Sequence, residues 1–453
     1  MDHSKQLGEE KITRLLIKFS VPAVVGMLVN ALYNIVDRIF VGRGVGDLAI
    51  AGITISFPVI LITMAFAMLI GMGATSLISL RLGEQKKKEA ELVMGNALVL
   101  LILVTSTLSV WGLLFLYPLL EFLGASGDVL PYAADYLSII LIGTIIMGIG
   151  LGMNNFIRAE GNPKIAMYTM LIGAIINIVL DPLFIFGFNM GIRGAALATI
   201  IAQSISAVWV LHYFLAGDSL LKIRRENLRI KSSVVRNIIA IGFPMFALQV
   251  TNSVQQTILN KSLSIYGGDI AVAAMGILFS LGTLIIMPIV GINQGVQPII
   301  GYNYGARQFY RVKEAVKLSV LIATVTLSLG FVVTRLFPGH LIGMFNSNPQ
   351  LVKVGTQALI VFFLFLPVIG IQIITSGYFQ AVGKPIRAAF LSLSRQILLF
   401  IPALLIFPVF WGLNGIWWAA PFSDLGSSLI AGLCLFFELR RLEIQQKESR
   451  TYP

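Results

Sequence analysis

The chain has 453 residues, of which 57% are hydrophobic and only 12% charged, with a net charge of +12. A soluble domain carries about 25% charge, so this chain cannot clothe a water-facing surface, and lipid must solvate much of it. One cysteine, Cys434, and three scattered histidines, His3, His212 and His340, exclude an internal disulfide and a thiolate metal cluster.

The first 20 residues mix charges and polar groups and show no signal-peptide cleavage pattern. Uncharged runs then recur, among them 53–80, 92–120, 136–157, 194–216 and 237–260. Spanning a bilayer takes about 20 apolar residues as helix. Continuous apolar runs also argue against a membrane β-barrel, whose strands alternate in character over about ten residues. Twelve helices are predicted, at 14–41, 53–80, 90–118, 131–157, 163–188, 192–215, 234–263, 271–301, 314–337, 352–380, 385–408 and 413–438.

The first predicted helix places Asn30, Tyr33, Asn34 and Asp37 on one face by their i, i+3, i+4, i+7 spacing. Asp37 lies about 19 residues beyond Lys18, in the outer half of the span at about 1.5 Å per residue. The second carries Met64, Met68 and Met72, and the fourth Met153. Soft methionines suit an adaptable apolar pocket, although ordinary packing explains any single one. Glu160 follows in an inner loop, where a solvated surface group is the expectation. The fifth holds Asn177 and, one turn on, Asp181, followed by Pro182, which removes a backbone donor. Thr199 sits in the outer half of the sixth. In the second half, the seventh helix carries Asn252, Gln255, Gln256 and Asn260, and the eighth Asn293, Gln294 and Gln297. These polar stripes either line a cavity or join helices by hydrogen bonds. Arg395 in the eleventh and Asp424 in the twelfth are candidates for an ion pair, structural or switching.

Basic residues set the orientation. With the N-terminus inside, 26 of the 33 Lys and Arg fall on the inner side, six on the outer, and Arg395 within a span. The basic loops therefore read as topology signals with both termini cytoplasmic, not as a nucleic-acid footprint. The chain also repeats itself. Shifted by 222 residues, Pro22 meets Pro244, Gly46-Asp47 meets Gly268-Asp269, Gly73 meets Gly295, and Gly161 meets Gly383. After the fifth helix the shift becomes 221, with Gly191 on Gly412. Six helices per half is even, so the halves share one orientation about an axis along the membrane normal. The expected organisation is a six-helix lobe at 1–216, a basic linker at 217–236, and a second six-helix lobe with a short tail at 237–453. This is an all-α membrane protein suited to alternating access.

Charge inside a bilayer costs from about 2.5 to over 10 kcal/mol, so each buried ionisable group needs a reason. Asp37, Asn177, Asp181, Thr199 and the adjacent Asn30 can converge in the first lobe. Their hard oxygens suit Na⁺; equally, two close carboxylates can share one proton. The repeat is an internal control: Asp37, Asn177 and Asp181 fall on Leu259, Leu399 and Ala403, so the fold alone does not require the acids. The blander reading has Asp37 capping a helix end or pairing with Arg38, and Asp181 opening a proline turn. A catalytic reading fails for want of a nucleophile–base pair: neither His212 nor Cys434 has an evident partner.

The run from Pro22 through Tyr33-Asn34-Ile35-Val36-Asp37-Arg38-Ile39-Phe40-Val41-Gly42 resembles the first helix of the multidrug and toxic compound extrusion family. So do Leu82-Gly83-Glu84, Arg158-Ala159-Glu160-Gly161-Asn162-Pro163, Asn177-Ile178-Val179-Leu180-Asp181-Pro182 and Gly191-Ile192-Arg193-Gly194-Ala195-Ala196. The resemblance covers nearly the whole chain and is nearest the DinF-like and MepA-like bacterial branch. It implies a non-enzymatic exporter of lipophilic, mostly cationic compounds in a bacterial plasma membrane, exchanging them for Na⁺ or H⁺. It further implies coupling at Asp37, Asn177, Asp181 and Thr199, with Asn30 adjacent. The substrate-cavity candidates are Tyr33, Asn34, Met64, Met68, Met153, Asn252, Gln255, Gln256, Asn293 and Gln297. Other branches place acids on the seventh and tenth helices. This chain has Gln255 and Gln256 on the seventh and no acid within the tenth, so a cation site there lacks its ligands. The expected partners are the bilayer and small lipophilic cations, with no nucleic acid, no cofactor beyond the coupling ion, and a monomeric state. A lipid or lipid-linked oligosaccharide flippase is the alternative function; it would want a cationic cavity, and Arg395 is the only basic residue deep within a span.

Overall fold

The structure is a computed structural model describing residues 5–125, 127–217, 219–345 and 348–451; for 34, 35, 38, 43, 47 and 447–451 it describes the backbone alone. Backbone N–H and C=O groups find no partner in lipid, so each crossing segment must satisfy its own as helix. The described residues accordingly contain helices and no strand. The spans are α1 Ile12–Gly44, α2 Asp47–Gly83, α3 Lys87–Leu114, α4 Leu130–Ala159, α5 Pro163–Pro182, continued by π-helical Leu183–Gly187, and α6 Gly191–Leu215. A continuous run, Ser232–Gly305, breaks at Gly268 (φ 62°, ψ −165°) into α7 at 232–267 and α8 at 269–305. Then come α9 Phe309–Leu336 and α10, made of Pro349–Phe362 and Leu366–Ala381 bent by 53°. Last come α11, made of Pro385–Leu393, π-helical Ser394–Phe400 and Ile401–Trp411, and α12 Leu413–Thr451. The twelve predicted helices all appear, several longer than expected. α2 has 37 residues and so measures about 55 Å at about 1.5 Å per residue, well beyond the hydrocarbon layer.

The internal repeat is written into the backbone. Gly46, between α1 and α2, has φ 107°, and its counterpart Gly268, between α7 and α8, has φ 62°. Both turns use an extended ψ at positive φ, a region open essentially only to glycine. Gln85 and Arg307, each just past a counterpart span, are both left-handed at 61° and 57°. Gly161 pairs with Gly383, and Gly191 with Gly412, again at positive φ. The two halves of the sequence therefore fold by one set of turns.

Packing divides the chain into two compact units: residues 1–10 with 25–246, and residues 11–24 with 247–453. The boundary does not follow the spans, because the first turns of α1 pack with the second unit and those of α7 with the first. Each exchange rests on bare backbone. In the first unit a Cβ on Gly73 of α2 would strike the Ile238 carbonyl of α7, and one on Gly242 of α7 would strike the Leu69 carbonyl of α2. In the second unit a Cβ on Gly295 of α8 would lie 2.8 Å from the Ser20 Cα of α1. Gly73 and Gly295 are repeat counterparts, as are Ser20 and Gly242. Lipid tails give no hydrophobic drive to helix association, so small residues that admit close backbones take that role.

Within the first unit α2 packs along α4, α4 along α6, and α5 along α6. This order places the end of α5 and the start of α6 side by side. In the second unit α9 and α12 pack on the C-terminal half of α10, Leu366–Ala381, and α12 on α11. Its core includes Leu263, Leu278, Ile374, Phe400 and Trp417.

Candidate functional site

α5 and α6 are antiparallel neighbours joined by the short turn at 188–190. Asn177 and Asp181 lie one turn apart on the face of α5 that meets α6, and both are buried, at 2% and 0% exposure. The Asn177 Nδ2 donates to the Asp181 Oδ1 at 3.2 Å and reaches the Thr199 Oγ1 of α6 at 3.4 Å. Asp37 of α1 is within hydrogen-bonding reach of the Asp181 carboxyl. The second Asp181 oxygen, Oδ2, and the Asn177 carbonyl oxygen, Oδ1, are both buried without a hydrogen-bond donor. Leaving such acceptors bare costs about 1–3 kcal/mol each, more for a charged group. Pro182 offers no N–H to the Ile178 carbonyl one turn back, and the chain widens into the π-helical turn at Leu183–Gly187. Two carboxyls, a carboxamide oxygen, a hydroxyl and a loosened helix therefore meet at one point.

The chemistry of that donor set is narrow. Two carboxyl groups in hydrogen-bonding contact need either a proton on one of them or a cation between them. The oxygens are hard donors. Among the described residues no group of three or more His, Cys, Asp or Glu side chains is placed to hold a metal ion. A monovalent cation or a proton fits this donor set. The repeat counterparts Leu259 and Ala403 are buried apolar residues of the second unit's core, as is Ala420, which matches Thr199.

The other sequence candidates fall into separate places. Asn30 is exposed and Tyr33 half-buried on α1, while the Asn34 side chain lies outside the described residues, as does that of Arg38. Met64 and Met68 are half-buried on α2; Met153 is fully enclosed within α4. In the second unit, Asn252 of α7 accepts from the Gln396 Nε2 of α11 at 3.2 Å. Gln255 and Gln256 are half-buried, and Gln256 approaches Asn260 along the same helix at 3.5 Å. Asn293 is 5% exposed, its amide set in the space that Gly377 of α10 leaves by lacking a side chain. Gln297 donates to the Gln380 Oε1 of α10 at 3.4 Å, both buried. Gln297 thus joins α8 to α10 by a hydrogen bond, and Asn293 packs against α10. Arg395 and Asp424 are brought together, Nε to Oδ1 at 2.6 Å, with Asp424 2% exposed.

Glu160 corrects its expectation. It is not a solvated loop group but 1% exposed, accepting from Tyr213, from the Ser219 Oγ at 2.7 Å and from the Leu221 N–H at 3.2 Å. Burial pushes its carboxyl up to about 7, against those hydrogen bonds, which lower it. The reason is tertiary: the basic linker folds back over it, a contact that local sequence pattern does not record. Two more anchors went unread. Glu91 of α3 is reached by the Lys222 N–H and the Arg224 Nε, each at 3.4 Å. Asn96, fully buried, donates to the Asn227 and Arg229 carbonyls and accepts from the Lys231 N–H at 2.7 Å. A lone Glu and Asn near the start of an apolar helix were the available signal. In the second unit Glu438 of α12 is 2% exposed and held by Lys384, by Arg387 at 2.6 Å and by Tyr378 at 3.3 Å.

Among the described residues, twelve apolar spans built as a repeat, with an acidic cluster within the helices of one half, are the architecture of a multi-pass membrane transporter. The chain belongs to the MatE family, whose profile matches it twice, at residues 22–183 and 244–405. The two matches begin and end 222 residues apart, the offset of the internal repeat. The chain is similar to the multidrug export protein MepA of Staphylococcus haemolyticus, 28% identical over 438 residues, covering 97% of this chain and 96% of the relative. MepA of Staphylococcus aureus strain MSSA476 is 28% identical over 443 residues, 96% of each chain. Among solved structures, an outward-facing multidrug resistance MATE family transporter of the MOP superfamily aligns at a TM-score of 0.91 and 26% identity, over 97% of this chain and 98% of that one. A MOP superfamily transporter from Pyrococcus furiosus, described as having a binding pocket of reverse polarity, aligns equally well at 26% identity.

Proposed function

We propose that the protein exports lipophilic organic cations across a bacterial plasma membrane, with both termini cytoplasmic, in exchange for H⁺ or Na⁺ bound at Asp37, Asp181, Asn177 and Thr199. The observation that carries this is the buried donor cluster with two acceptors lacking donors, set in one half of a repeat whose other half fills the same positions with Leu259, Ala403 and Ala420. Groups that the shared fold does not need, and that cost energy where they stand, are retained for something positive that binds them. Asp37 and Asp181 supply the charge. Asn177 orients Asp181 through its amide and presents its oxygen to the ion. Thr199 holds the Asn177 amide in that orientation. Binding the coupling ion cancels charge in the pocket, and a cationic cargo held by the same charge is then released. A ligand moves the conformational equilibrium only through its differential affinity for the states, so the competition of cargo and ion for one charge is the coupling. MepA relatives named for multidrug export, with near full-length coverage, support the same reading.

A flippase would need a free deep cation for a lipid phosphate. Arg395 is committed to Asp424 at 2.6 Å, which disfavours that reading.

The test is efflux of a fluorescent lipophilic cation from proteoliposomes under separate Na⁺ and pH gradients. One gradient is expected to drive efflux, and Asp37→Asn and Asp181→Asn are each expected to abolish it while inserting normally. Full efflux in both variants, or efflux indifferent to both gradients, would overturn the assignment.

A further inference from the structure

The linker between the two sets of spans does more than connect them. Its path over the first unit is fixed by Glu91 and Asn96, and Gly95 leaves room for the Asn227 carbonyl that a Cβ would displace. A short 3₁₀ turn, Arg225–Leu228, follows, and residues 229–231 lead into α7 at Ser232. Beside this junction lies a concavity of about 490 Å³ lined by Ile230, Ser232, Val235, Arg236, Ile239 and Ala240. Its walls belong to the first unit alone. Ile230 and Ile239 are 50% and 42% exposed, and Phe243, one turn further along the same face, is 47% exposed. The apolar stripe Val235, Ile239, Phe243 runs down α7 at i, i+4, i+8, away from the face that meets α2.

Cations crowd the mouth of this groove. Arg229, Lys231 and Arg236 are exposed there, as is Arg225 further back on the 3₁₀ turn, and no described carboxylate forms an ion pair with any of the four; Glu226 is the only acid from 219 to 245. The occupant that complements both features carries an anionic head and an apolar tail. We propose that the groove at the linker–α7 junction binds an anionic phospholipid. The phosphate is held by Arg236 with Arg229 and Lys231, beside the Ser232 hydroxyl, and one acyl chain lies along Val235, Ile239 and Phe243. Basic pockets at the membrane rim recognise acidic head groups in this way. A soluble phosphate or a nucleic acid would leave the apolar walls bare. The proposal rests on the helical spans but not on which face is cytoplasmic, nor on the coupling site, so it stands or falls separately from both.

The test uses the full-length purified protein, delipidated and titrated with phosphatidylglycerol or phosphatidylcholine of matched acyl chains, with bound lipid counted by native mass spectrometry. Phosphatidylglycerol is expected to bind roughly tenfold more tightly. The paired substitution Arg229→Gln with Arg236→Gln should reduce that preference to the phosphatidylcholine level. Ile239→Ser should weaken both lipids. Arg225→Gln, which removes one linker charge away from the groove lining, should keep the preference. Melting temperatures measured without added lipid confirm that each variant is folded. Equal binding of the two lipids by the unaltered protein would overturn the proposal. So would loss of preference in Arg225→Gln as large as in the paired variant, or displacement of the lipid by millimolar glycerol phosphate.

Discussion

Asp181 and Glu160 are both buried carboxyls of the first unit, yet their surroundings give them opposite tasks. Asp181 has one oxygen on Asn177, while the other lacks a donor and the carboxyl faces that of Asp37; Glu160 is filled by donors from Tyr213, Ser219 and Leu221. A satisfied carboxyl fastens structure, and an unsatisfied one waits for a ligand. Glu160 therefore ties the linker down, and its titration sets how firmly. Exposed, it would titrate near 4.5; in its pocket burial moves it to about 7. The docked state holds the extra proton between those values, so docking is firmest below about pH 4.5 and weakens as pH rises to about 7. The change is on the order of 3 kcal/mol. Hydrogen exchange at residues 219–231, corrected for the intrinsic rate, should accelerate more than tenfold from pH 5 to pH 7.5. Glu160→Gln should remove that dependence. A pH-independent rate in the unaltered protein would show that linker opening leaves Glu160 in its pocket.

At the scale of elements, glycine placement decides how spans meet. Gly46, Gly73, Gly161 and Gly191 each recur in the second half of the sequence, and each is a positive-φ turn or a close helix approach. The surfaces these glycines meet are not repeated in the sequence. Gly73 meets α7, and its counterpart Gly295 meets α1, because the early turns of these two helices are exchanged between packing units. Gly242→Val places a side chain on the Leu69 carbonyl of α2, a collision with backbone that no rotamer relieves. Overpacking of this kind costs about 1–3 kcal/mol or more. The variant is expected to melt several degrees lower in detergent, and Gly276→Val, where a Cβ meets nothing within 4 Å, should melt near the parent.

For the whole molecule, the charge asymmetry of the loops makes a prediction that no helix count can. In a Cys434→Ser background, Lys86→Cys and Arg225→Cys should react with an impermeant maleimide only after the cells are opened. Asp128→Cys and Lys353→Cys should react in intact cells. The reverse pattern would invert the proposed topology and place the acidic cluster nearer the cytoplasm.

Span number, the repeat and the acidic residues could be read directly from the chain. Lipid makes hydropathy a nearly complete guide to helices, and an uncompensated carboxylate within a span stands out by its cost. The convergence of Asn177, Asp181 and Thr199 was also foreseeable, since helical periodicity fixes faces and a short turn makes α5 and α6 neighbours. Only the folded chain shows that Glu160 lies under the linker, that Gln297 meets Gln380 and Asn293 fills the place left by Gly377, and that α1 and α7 trade their first turns. Each of these depends on which distant surfaces come into contact. Local pattern carries no record of that, because small residues and buried amides look alike in sequence whether they face lipid, a neighbouring helix or a returning loop.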